Sequence, residues 1–136
     1  MRLLFLTIST LLFSVPAFAE TGSNPLIGTW RVDTVATADY LKKNRILPEA
    51  AVDRVMPVTA KMRWRFDDHF IYSPESPSSP PVPYRIVARA SDRLIVVAYY
   101  PDRQLTSVIE LGPNCYWQSN DTVVKGYRER VVRADE

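Results

Sequence analysis

The chain is poor in the residues from which most catalytic and metal centres are built. It has one histidine, one cysteine and four glycines among 136 residues. Any Ser-His-Asp or Cys-His nucleophile system would have to run through His69, which lies beside Asp67 and Asp68 in a turn-like stretch. One His and one Cys far apart in sequence do not supply the several ligands a transition metal requires. Four glycines leave no phosphate-cradling loop, and the carboxylates are scattered over turns and termini with no evident pair. The expectation is a protein that is not an enzyme and carries neither cofactor nor metal.

Strong charge of one sign is missing as well. Seventeen basic residues face fifteen acidic ones, for a net charge of +2. A nucleic-acid binder draws its affinity from a strong basic field, so nucleic acid is not an expected partner. No apolar run is long enough to cross a bilayer, so the chain does not read as transmembrane. The longest such run follows Met1-Arg2, extends from Leu3 to Phe13 and leads to Ala17-Phe18-Ala19. A positive start, a short apolar stretch and small residues spaced A-x-A read as a secretory signal peptide over 1–19. The remainder, 20–136, then forms one domain that is periplasmic or secreted. Its charge without Arg2 is about +1, and no Cys near the cleavage site suggests a lipid anchor. Exported chains usually use cysteines in pairs. The lone Cys115 therefore reads as a small buried hydrophobe in a fold held by packing.

What is abundant is strand pattern. Asn24-Pro25 leads into Leu26-Ile27-Gly28-Thr29-Trp30-Arg31-Val32, where alternation puts Gly28 and Trp30 on one face. The glycine leaves room at a barrel end that the indole can plug. Two helices are expected next. One spans Thr37–Lys43 with Thr37 as N-cap and Asn44 at its end; the other runs from Pro48 to Met56 and is stopped by Pro57. Leu47, Ala51, Val52, Val55 and Met56 fall on one stripe of the second. From Val58 to Phe66, Val58, Ala60, Met62, Trp64 and Phe66 alternate with Thr59, Lys61, Arg63 and Arg65, which predicts a half-buried antiparallel strand. Asp67-Asp68 turns into His69–Tyr72. Ser73–Pro83 then holds five prolines in eleven residues and reads as a stiff extended loop. Short strands follow over Tyr84–Ala90, Leu94–Tyr100, Gln104–Leu111, Cys115–Gln118 and Val123–Val132. The fold class is mostly β: about eight antiparallel strands in an up-and-down barrel, with a helix-turn-helix after the first strand.

The Gly28-Thr29-Trp30 opening resembles the first strand of the calycin group, the lipocalin-like and fatty-acid-binding barrels. The helix pair before the second strand is similar to the portal lid of the intracellular fatty-acid-binding proteins. Those proteins have ten strands and no export signal, and they hold a carboxylate with an Arg-x-Tyr pair on the last strand. Here Lys125-Gly126-Tyr127 stands in that place. The resemblance implies an exported, lipocalin-like barrel of divergent kind, with Lys125 and Tyr127 anchoring an acidic head.

The candidate ligand-binding residues are Trp30, Met62, Trp64, Tyr84, Tyr100, Trp117, Lys125 and Tyr127. In a binding barrel they line an apolar cavity with few polar anchors and take a small hydrophobic ligand or lipid. An eight-stranded barrel is also narrow enough for side chains to fill it. The alternative is therefore an envelope protein-protein interaction or inhibitor module with a filled core and no ligand. Lys61, Arg63 and Arg65, extended by Arg85 and Arg89, would be its docking face.

Overall fold

Alternation along each strand decides the architecture. In the computed structural model, which describes residues 23–120 and 124–134, eight strands pair in sequence order and close on themselves. They are β1 (Gly28–Val32), β2 (Arg63–Phe66), β3 (Phe70–Tyr72), β4 (Val82–Arg89), β5 (Arg93–Tyr99), β6 (Gln104–Gly112), β7 (Cys115–Ser119) and β8 (Arg128–Arg133). Every neighbouring pair is antiparallel. The ring is sealed where β1 meets β8, with Trp30 opposite Arg133 and Val32 opposite Val131. The expected eight-stranded up-and-down barrel with two helices after its first strand is the observed fold. Residues 1–19, read as a signal peptide, lie outside the described residues. No helix of the described residues is long and apolar enough to cross a membrane.

The inward faces form the main core, built around Trp30, Phe66, Val96, Ile109, Tyr116 and Val131. One end, the base, carries the β2–β3, β4–β5 and β6–β7 turns and the segment before β1. At the base the Trp30 indole N–H donates to the Leu26 carbonyl at 2.7 Å. Its ring meets Tyr116 edge-on with centroids 4.8 Å apart, and the Arg133 guanidinium lies over it at 4.0 Å. Arg133 in turn donates to the Ile27 carbonyl. Gly28 is what allows this: its φ is +129°, and a Cβ there would run into the Arg133 guanidinium. Tyr84 is also buried at the base and donates to the Asp67 carbonyl.

The opposite end carries both helices, the Pro-rich loop and the β7–β8 connection. The first helix, α1 (Thr34–Lys43), begins three residues before the expected start. Its N-cap is Asp33, whose carboxylate accepts from Ala36 N–H, and not Thr37. Thr37 is buried instead, and its hydroxyl accepts from Arg130 N–H at 2.9 Å. That donor needs a partner because the last β1–β8 pair is Val32 with Val131. Asp33 also pairs with the Arg130 guanidinium, so α1 is latched onto the outer wall at β8.

The second helix, α2 (Glu49–Thr59), runs through Pro57. Pro57 is exposed, so water can serve the carbonyl its missing N–H leaves free, and Thr59 continues the stripe of Val52 and Met56. Val58 and Thr59 are therefore helical and β2 is confined to Arg63–Phe66; the alternation read from Val58 onward belongs partly to a helix and a turn. The helices share a small second core of Leu41, Val52 and Met56, with Tyr127 packed against it. The Pro-rich loop is exposed and built of two successive turns, Ser76 N–H to Ser73 and Ser79 N–H to Ser76. It ends sooner than its prolines suggest, because Val82 and Pro83 already pair with Ile71 and Phe70.

Candidate functional site

Inside the barrel, on the helix side of the Trp30–Tyr116 plug, lies a chamber of about 240 Å³. Met62, Trp64, Ile71, Val96, Tyr100 and Leu105 form its apolar wall, and Ser107, Gln118 and Glu129 are polar groups within it. The Trp64 indole N–H donates to the Tyr116 hydroxyl at 3.2 Å and braces the floor. A second hollow of about 330 Å³ adjoins it under the α1–α2 connection, lined by Leu47, Asn120, Val124 and Tyr127. Gln118 and Glu129 line both, so the two chambers meet at this pair.

The pair is fixed by register. Gln118 on β7 stands directly opposite Glu129 on β8, and both face inward with Tyr116 and Val131. The Gln118 amide donates to one Glu129 carboxylate oxygen at 2.9 Å, and the Tyr127 hydroxyl donates to the other at 3.3 Å. Burial pushes the Glu129 carboxyl above its ordinary range, against the opposing effect of these two donors. Burial together with the adjacent carboxylate pushes Tyr127 up to about 12. Tyr116 is raised too, chiefly by burial.

The expected site residues divide into four groups. Met62, Trp64 and Tyr100 line the inner chamber and Tyr127 the outer one. Trp30 and Tyr84 belong to the base. Trp117 points outward, its ring 5.5 Å from Tyr40 of α1 and 5.2 Å from the Arg128 guanidinium. Lys125 is exposed in the turn before β8, so the last strand starts later than expected and Lys125 does not join Tyr127 in the chamber. The residue that does is Glu129, of opposite charge. Gln118 and Ser107 were not singled out either.

The remaining chemistry is dispersed. His69 is exposed in the β2–β3 turn, beside an outer cleft of about 460 Å³ that Asn24, Arg85 and Arg89 also line. Cys115 is half-buried on the outer wall, not in the core, near Gly112 and Arg130. Of the expected cationic row, Lys61 lies in the turn after α2, while Arg63 stands directly across from Arg31 on β1. Arg65 covers the Tyr72 ring at 4.2 Å.

No family model, curated protein or solved structure matches this chain.

Proposed function

We propose that this is an exported, non-catalytic binding protein that holds a small apolar ligand inside its β-barrel. The observation that carries the reading is the inner chamber: a mostly apolar hollow of about 240 Å³, continued by a second of about 330 Å³. A barrel of this size need not contain one, since its side chains can fill the interior. Few polar groups converging on an apolar cavity are the usual make-up of a small-molecule site. The calycin resemblance of Gly28-Thr29-Trp30 points the same way. In this reading Trp30 closes the floor and Leu47 and Tyr127 flank the route in. The helix pair stands at the β8 side of the opening. Native mass spectrometry of the protein from its own host tests the proposal. A co-purifying mass of lipid size is expected, and an apoprotein that also fails to take up a fluorescent apolar probe would overturn it.

One observation favours a second reading, in which the outer wall recruits an acidic envelope protein. Arg31 and Arg63 stand directly opposite each other, and neither forms an ion pair among the described residues. Like charges in register destabilise a sheet, so an anionic partner would relieve the pair. Arg31→Gln would weaken such an association and leave probe uptake unchanged, since Arg31 lies on the outer wall and lines neither hollow.

A further inference from the structure

Glu129 is the feature that binding of a generic apolar molecule does not explain. Its carboxylate is set among Gln118, Tyr127 and the apolar chamber walls, where a charge is costly unless it is paired. Yet among the described residues no cation of its neighbourhood pairs with it. Arg128 and Arg130, its neighbours along β8, project to the outer wall and pair with Glu110 and Asp33. Arg133 covers Trp30, and Lys125 is exposed. Arg63 reaches the rim of the inner chamber but forms no ion pair with Glu129. The two side-chain donors given for Glu129 among the described residues, Gln118 and Tyr127, are both neutral. Among the described residues Glu129 has no counter-ion, at the point where both hollows meet.

We propose that the ligand carries a protonated amine, seated on the Glu129 carboxylate, with its apolar body along Trp64, Tyr100 and Leu105. The inference rests on the binding reading above and narrows it to a head-group class. An ammonium supplies both the charge and the donors that the site lacks. A fatty acid would set a second carboxyl beside Glu129, and two carboxylates sharing a site cannot both ionise readily. The head group expected from Lys125 and Tyr127 is thereby reversed.

The test compares decylamine, decanol and decanoate, with binding followed by Trp fluorescence and calorimetry. Decylamine should bind about tenfold or more tightly than either of the others, a difference of about 1.4 kcal/mol per decade. In Glu129→Gln the preference for decylamine over decanol should collapse to about twofold. Should the variant not fold, wild-type protein supplies the readout: decylamine affinity should fall as pH drops and Glu129 protonates, while decanol affinity stays level. Preference for decanoate, or an amine preference that survives in folded Glu129→Gln, would overturn the head-group inference and leave the binding reading standing. Failure of all three probes would overturn the binding reading itself.

Discussion

Trp30 ties three parts of the fold together. Its indole is in contact with the segment before β1 through Leu26, with β7 through Tyr116 and with β8 through Arg133. Trp30→Ala should cost about 3–5 kcal/mol, the range for deleting a buried aromatic. A loss below about 1 kcal/mol in urea melts would mean the plug is dispensable. Glu129 sets a pH dependence of definite sign. Its folded pKa lies above the ordinary 4.5, so burial favours the protonated form. Its contribution is fully present below about 4.5 and is lost as pH rises through the raised value. Relative to Glu129→Gln, the wild type should therefore lose stability between acidic and neutral pH. Parallel denaturation series decide this, and a constant difference would refute it. Asp67 acts with the opposite sign: backbone N–H donors, His69 foremost, hold its pKa down.

At the scale of elements, the barrel and its attachments follow different logic. The Pro-rich loop is exposed throughout, and its closure entropy changes by only about 0.6 kcal/mol per doubling of length. Replacing residues 74–81 by an Asn-Gly turn should thus leave the melting temperature nearly unchanged. A large drop in thermal melts would show that the loop packs on the barrel. Ser73 borders the inner chamber, so the same variant also reports on whether the loop shapes access to it. The helices are legible in sequence, but their ends are set by tertiary contacts. Asp33 can cap α1 while pairing with Arg130 only because β8 passes beside it. Pro57 is tolerated because it lies on the solvent-facing side of the last turn of α2, which periodicity alone does not reveal.

For the molecule as a whole, period-two alternation and turn chemistry suffice to read the barrel, since each strand must present one apolar face to a single interior. Site residues are harder. On β7 both faces bear aromatics, so Tyr116 inside and Trp117 outside cannot be told apart without the register to β8. Glu129 did leave a signal. It shares the parity of Lys125 and Tyr127, and the residue that enters the barrel depends on where β8 begins. Glycine at 126, with φ of +79°, marks the turn that delays that start.

Sealing the sheet at β1 and β8 has one more consequence. An open sheet offers two rows of unpaired N–H and C=O groups, and such rows are templates on which a second chain can add a strand. The described ring leaves little of that kind: each of its eight strands has a partner on either side, and β4 runs on past the short β3 toward Arg89. To swap a strand with a copy or seed a fibre, the barrel would first have to break two ladders at once. Closure thus leaves side chains, more than backbone, as the groups free to meet another molecule, with the end of β4 beyond β3 as the exception.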